Sequence, residues 1–216
     1  LISKIKDEYT DADELDSKIM DEYFKKYVLK KLEKNKKEYF SPENLKDISP
    51  KYFNILKNIA TSEGKILIYS YFISFIFLKT LSIAMEATGE WEEFKIKKVN
   101  GEWILDDSMK KNNKKRYMFF SGKQTSEEKS ILPTIFNSQY DQLPNNCQKL
   151  RKQLIDLYGP DNIRGGAVKC LMTTKSGAEG LDLKHVRDVH ICEPYWNSIL
   201  IQQVIGRSVR TNSHID

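Results

Sequence analysis

The sequence predicts an α/β fold: a mostly parallel sheet with helices on both faces, preceded by an N-terminal helical segment. Two observations predict it. Short apolar runs at 64–72, 116–122, 167–174 and 186–193 have strand length and lie between turn signals. Stretches with helical periodicity or helix caps separate most of them, the arrangement of a parallel sheet covered on both faces.

In chain order, residues 1–14 are acidic and polar and are expected to fray. Leu15, Ile19, Tyr23, Tyr27 and Val28, with Phe24 and Leu32 alongside, recur at helical spacing and predict a helix over 15–37. Its C-terminal half carries Lys30, Lys31, Lys34, Lys36 and Lys37, which suit the negative end of a helix dipole. These lysines read either as a solvated face or as a phosphate-binding patch. Over 48–64, Ser49 is the expected N-cap, Pro50 takes the first turn and Gly64 is the expected stop. An apolar strand at 64–72 then leads into a helix at 73–86. Asn100-Gly101, between two strand-like runs, predicts a hairpin within an insertion over 88–115. Helices are expected near 125–136, at 145–158 before Gly159-Pro160, and at 198–209 behind an Asn197 cap. The domain division follows: a linker or packing segment over 1–62 and the α/β unit over 63–216.

The 216 residues, 40% hydrophobic, suffice for one substantial core. A net charge of +5 tolerates an anionic partner without demonstrating one. Three scattered cysteines and three histidines give no zinc pattern, so no metal site is expected, and a reducing compartment is inferred. No apolar run approaches the roughly 20 residues that span a bilayer, so no membrane partner is expected. The chain begins at Leu1, and a longer polypeptide is expected.

In parallel sheets ligands gather outside the carboxyl ends of the strands. The segment 173–183 at the end of the 167–174 strand, "TTKSGAEGLDL", offers Thr174, Lys175, Ser176, Gly177, Gly180 and Asp182. Hydroxyls and free backbone N–H groups there favour phosphate, and glycine lets backbone approach a ligand. An ordinary polar turn has the same composition. Ser70 and Tyr71 end one strand, and Ser121, Gly122 and Lys123 end another. "EPYWN" places Tyr195 and Trp196 to stack on a base or to pack a loop. Arg207 and Arg210 stand three apart on the last helix, where paired guanidinium groups favour an anion between them.

The ordered set "TTKSGAEGLDL", "VHICEPYWN", "QQVIGRSVR" resembles motifs V, Va and VI of superfamily 2 helicases. "KILIYSYF" looks like motif IV, and Gly122, Gln124, Lys129 and Phe136 fill the places of the following strand and helix. The resemblance covers about 64–212. In detail it is most similar to the helicase-like NTPases of large cytoplasmic DNA viruses, including the poxvirus nucleoside triphosphate phosphohydrolase and the ATPase subunit of the poxvirus early transcription factor. Swi2/Snf2-type translocases and type III restriction-type helicases are the alternatives. Glu179 stands where DEAD-box proteins carry arginine, which argues against that family.

The resemblance implies a second RecA-like domain that closes over ATP and Mg2+ held mainly by a first domain. Arg207 and Arg210 would be arginine fingers, with Gln203 and Gly206 at the nucleotide and Gly180 and Asp182 near the ribose and the domain interface. Ser70, Tyr71, Gly122, Thr174, Lys175 and Ser176 would line a DNA or RNA phosphate path. Implied partners are nucleic acid, the first RecA-like domain of the same polypeptide and the transcription machinery, in the cytoplasm, a viral factory or a virion. The chain contains neither G-x-x-x-x-G-K-[ST] nor a D-E-x-H or D-E-A-D box in the right place. Alone it is therefore expected to hydrolyse no ATP. A non-catalytic RecA-like binding or assembly module is the other class of function.

Overall fold

The computed structural model describes residues 23–71, 76–122, 124–178, 180–193 and 198–208. Within the described part, the helix expected over 15–37 is not continuous. A π-helical turn, Phe24–Val28, runs into α1 (Leu29–Lys34), and a break at Asn35 precedes α2 (Lys36–Tyr39). Two capped helices follow. In α3 (Pro42–Ile48) the Ser41 hydroxyl accepts from the Asn44 N–H, and in α4 (Pro50–Thr61) that of Ser49 accepts from the Tyr52 N–H. Both have proline in the first turn, where its missing N–H costs nothing. Gly64 does not end α4, which stops at Thr61. A side chain at Gly64 would collide with the Arg187 stem, so this glycine serves packing.

The sheet contains β1 (Lys65–Ser70), β2 (Trp91–Glu93), β5 (Lys115–Phe120), β6 (Cys170–Thr174) and β7 (Val186–Ile191), and β3 (Ile96–Val99) pairs with β4 (Glu102–Leu105) as a separate hairpin. The order is β2-β5-β6-β1-β7, every pair parallel. β2 is the strand that pattern reading missed. It lies inside the 88–115 segment, so that segment supplies a sheet edge as well as the hairpin. Three residues are too few to show a period, and only the ladder to β5 defines them. Asn100 and Gly101 have φ of 51° and 84°, the positive pair that a two-residue hairpin turn needs.

Both sheet faces are covered. Leu67, Tyr69, Met118, Phe120 and Leu171 meet α6 (Ser126–Phe136), α7 (Gln148–Tyr158) and the hairpin. Ile66, Ile68, Tyr117, Cys170 and Met172 meet α4 and α5 (Ile76–Ala87). Alternate residues of one strand thus enter different cores, which explains the uninterrupted apolar run "ILIY". A third cluster, with Leu29, Leu32, Phe40 and Leu45 against Ile83 and Ala84, seats the N-terminal helices on α5.

Polar groups inside the fold are bonded in several directions. Arg116 pairs with Glu92 across the β2–β5 ladder at 2.8 Å, donates to Asn112 Oδ1 at 2.7 Å and lies over the Tyr158 ring at 4.2 Å. Asn162 is fully buried. Its Nδ2 donates to the carbonyls of Phe136 and Val168, and its Oδ1 accepts from the N–H groups of Ala167 and Val168. That one side chain turns the chain from α7 into β6. All three cysteines are free and buried, and burial pushes the Cys192 thiol up to about 12.

Lys65 opens β1 with no exposed surface. Its ammonium donates to the Phe136 carbonyl and lies 4.5 Å from the centre of that ring. Burial pushes its pKa down to about 7, with Asp161 opposing the shift. The unfolded chain therefore binds more protons than the folded one between about pH 7 and pH 10, and stability rises with pH across that window. Urea midpoints of the 216-residue chain should increase from pH 7 to pH 9 by an amount worth about 2 kcal/mol. In Lys65→Met most of that rise should vanish without loss of stability at pH 7, because an apolar isostere carries no desolvation cost.

Candidate nucleotide and nucleic-acid interface

The sheet register sets the strand ends side by side. Ser70 of β1 is the partner of Thr174 of β6, and Phe120 of β5 is the partner of Thr173. The Cys192 N–H, just past β7, donates to the Tyr69 carbonyl at 2.9 Å. Segments 70–71, 121–122, 174–176 and 192–193, far apart in sequence, thus leave the sheet along one edge.

Their exposure differs. Gly122 and Ser176 are exposed and adjacent, since a methyl on Gly122 would sit 3.6 Å from Ser176 Oγ. Lys175 is half-buried, with its ammonium 5.2 Å from the centre of the half-buried Tyr71 ring. Ser70 and Thr174 lie fully beneath this surface. The Thr174 hydroxyl is 3.3 Å from that of Ser176, within hydrogen-bond reach. Lys175 and Ser176 stand on a single helical turn, α8 (Lys175–Ala178), rather than in an irregular loop.

Gly177 reads differently in three dimensions. A methyl there would overlap the Phe120 carbonyl and lie 2.6 Å from Thr173 Oγ1 and 2.9 Å from Ser121 Cα. Its missing side chain admits protein backbone, not a ligand. Gly180 has φ of 75° and open space around its Cα, so there glycine answers both a left-handed backbone and a free approach. Asp182 is exposed beside it. Ser121, Lys129, Ser176, Gly180 and Asp182 border a cleft of about 380 Å³. A larger cavity of about 610 Å³ lies at the opposite edge of the sheet, around Ser62, Arg164, His185 and Arg187, and contains none of the predicted site residues.

Three polar side chains hold this edge in place. Gln124 accepts from the Ser121 N–H and hydroxyl and donates to the Phe119 carbonyl at 2.9 Å, folding the turn around Gly122. Asn137, buried at the end of α6, donates to the Asp182 carbonyl and accepts from the Lys184 N–H, both at 2.8 Å. Glu193, also buried, accepts from the Tyr71 N–H at 2.9 Å and faces Lys51 of α4 at 3.7 Å. Sequence reading placed Gln124 and missed Asn137 and Glu193 as determinants of the site. Asn137 follows Phe136 at a helix end, a place where asparagine is common, and its partners are 45 and 47 residues further on.

The final helix, α9 (Ser198–Ser208), buries Val204 in the same core as Ala178 and Leu181. Ile199, Gln202, Gln203 and Gly206 are exposed and spaced as one helical face. Arg207 lies on this helix by its backbone. Its side chain, Arg210 and the stretch 194–197 with Tyr195, Trp196 and the expected Asn197 cap are outside the described residues, as are Lys123 and Glu179.

A parallel five-stranded sheet sandwiched by helices, with its loops gathered at one edge, defines a RecA-like α/β domain. Residues 94–212 match the helicase conserved C-terminal domain, and the chain belongs to that family. It is 33% identical, over 77% of its length, to the termination factor NPH-I homolog of African swine fever virus. It is 25% identical, over 80% of its length, to nucleoside triphosphatase I of Melanoplus sanguinipes entomopoxvirus. The chain spans 23% and 19% of those two proteins. The resemblance read from the motifs to helicases of large DNA viruses therefore holds. Among the described residues no helix is long and apolar enough to cross a membrane.

The Asn137 clamp makes a direct prediction. Asn137→Ala leaves a part-buried backbone donor and acceptor without their partner, and should cost about 1 kcal/mol in urea unfolding. It should also speed hydrogen exchange selectively at 180–184. Asn137→Asp keeps the acceptor for Lys184 and should retain part of the protection at that amide.

Proposed function

We propose that this chain is the C-terminal motor half of an ATP-driven helicase or translocase, and that it works on ATP held mainly by a first RecA-like domain of the same polypeptide. The observation that carries this reading is the shared edge. Exposed Gly122 and Ser176, with Lys175, lie along the strand ends, and Gln203 and Gly206 lie on the free face of α9.

Gly122, Lys175 and Ser176 would meet nucleic-acid phosphates directly, with Tyr71 beside Lys175 and with Ser70 and Thr174 shaping the surface from beneath. A hydroxyl, a lysine and open backbone read a phosphate chain without reading its sequence. Gly180, Asp182, Gln203 and Gly206 suit the nucleotide because all four are exposed and no described residue fills the space over Gly180 or Gly206. Arg207 and Arg210 would stabilise the charge that grows on the transferring phosphoryl oxygens, an effect of several kcal/mol for a positioned guanidinium. The relatives are a termination factor NPH-I homolog of African swine fever virus and nucleoside triphosphatase I of an entomopoxvirus, which supports a role in viral transcription.

The test is ATP turnover by the intact polypeptide with Mg2+, alone and with single-stranded DNA or RNA. Nucleic acid should stimulate turnover, and the better activator identifies the track. Arg207→Ala or Arg210→Ala should lower stimulated turnover about a hundredfold or more. The 216-residue chain by itself should turn over no ATP. Turnover that is indifferent to both arginines would reject the motor reading in favour of a non-catalytic binding module.

A further inference from the structure

The N-terminal helices carry a charged surface that the motor reading does not use. From Lys26 to Glu38 the chain exposes Lys26, Lys30, Lys31, Lys34 and Lys37, against Glu33 and Glu38 of opposite sign. Lys36, the remaining lysine of this stretch, turns inward and pairs with Glu86 of α5 at 2.9 Å. Among the described residues no carboxylate lies in ion-pair range of the other five.

Glu33 and Lys37, and Lys34 and Glu38, stand at four-residue spacing, but the helix breaks between them at Asn35 and neither pair is in ion-pair range, so this face is more one-signed than an ordinary solvated one. Ordinary faces interleave glutamate and lysine at four-residue spacing, which stabilises the helix, whereas like charges at that spacing destabilise it. Lys26, Lys30 and Lys34 follow one another at that spacing, on the order of 6 Å apart along the axis. The helix dipole accounts for lysines in the last turn only, and Lys26 and Lys30 precede that turn. The helix is held instead by Leu29 and Leu32, which pack on Ile83 and Ala84 of α5. Lysine repulsion on the outer face is thus supported by burial on the inner one, and an anion would relieve it.

Two features identify the anion. Among the described residues the apolar face of α1 is covered by α5, which leaves no apolar strip there to enter a lipid surface. Between Lys26 and Lys37, the large apolar group exposed among the described residues is Tyr27, 53% exposed, with Lys26 Nζ 5.4 Å from its ring centre. The ring packs against that of Tyr23, 4.9 Å between centres, and keeps about half its surface exposed. A partly exposed aromatic ring among lysines suits a nucleic-acid strand, whose bases stack while its phosphates pair.

We propose that Lys26, Lys30, Lys31, Lys34 and Lys37, with Tyr27, form a second nucleic-acid contact that is independent of the helicase motifs. It lies on the α5 side of the domain, where Lys36 meets the C-terminal turn of α5, away from the strand ends at which that helix begins. The choice of nucleic acid over other polyanions rests on the motor reading; the existence of the basic face does not. Such a contact would keep the polypeptide on its track while the motif surface opens and closes.

The experiment measures binding of the 216-residue chain to a fluorescein-labelled 20-mer of oligothymidylate and to a duplex of the same length, by anisotropy across a salt series. The variants are Lys26→Gln/Lys30→Gln/Lys34→Gln, the corresponding charge reversal to Glu, and Lys175→Ala at the strand-end surface. Circular dichroism and thermal midpoints report folding, and the Gln triple keeps the test valid if the reversal unfolds the helix. The Gln triple should weaken binding tenfold or more and flatten the salt dependence on single strands by about two phosphate contacts or more. Affinity and salt slope unchanged in a folded Gln triple, with Lys175→Ala weakened, overturn this inference and leave the motor reading standing. A weakened Gln triple in a polypeptide whose ATPase ignores nucleic acid supports this surface and overturns the motor reading instead.

Discussion

The constraint on which the rest of this structure depends is that a parallel sheet must be covered on both faces. Its crossovers are helices, and those helices bury the strands from either side. β1 shows the consequence residue by residue: Ile66 and Ile68 enter one core, Leu67 and Tyr69 the other. With both faces occupied, the free places are the edges, where the chain leaves each strand. A ligand surface built from four separate segments can then form at one edge, and the register that packs the core also sets the spacing of that surface.

Holding such an edge is a problem for short loops, which lack ladder hydrogen bonds of their own. Here side chains supply them. Gln124 closes the turn around Gly122, Asn137 grips the backbone before and after Leu183, and Glu193 accepts from the Tyr71 N–H. Gly177 lets α8 settle against the end of β5 where any side chain would push it off. An amide that both donates and accepts suits this task, because it satisfies two backbone groups without introducing a charge that must itself be solvated. Asn162 does the same for the turn into β6.

Charge is distributed unevenly. Arg116 is buried and fully engaged, pinning the edge strand β2, and Lys65 is buried against a carbonyl and a ring at the cost of its pKa. Neither can serve a ligand from where it sits. The lysines proposed to meet a polyanion are elsewhere, at the strand ends and on the N-terminal helices. The two groups lie at different places on the domain, which is why two separate nucleic-acid contacts are proposed rather than one.

The sequence by itself determined the fold class, the positions of the main strands and helices, the hairpin turn and the family. Each rests on local information: apolar runs, a proline and serine at a helix start, an Asn-Gly pair, and motifs in a fixed order. The candidate strand-end residues were legible for the same reason, since a parallel sheet places its ligands where its strands end. The tertiary structure alone decided which of them are accessible. Ser70 and Thr174 lie beneath the surface while Gly122 and Ser176 are on it, and Gly177 faces protein backbone whereas Gly180 faces open space. Burial, strand register and the partners of Asn137 and Glu193 join residues tens to more than a hundred positions apart. No pattern within a window of the chain carries that information, because only the folded packing brings those groups together.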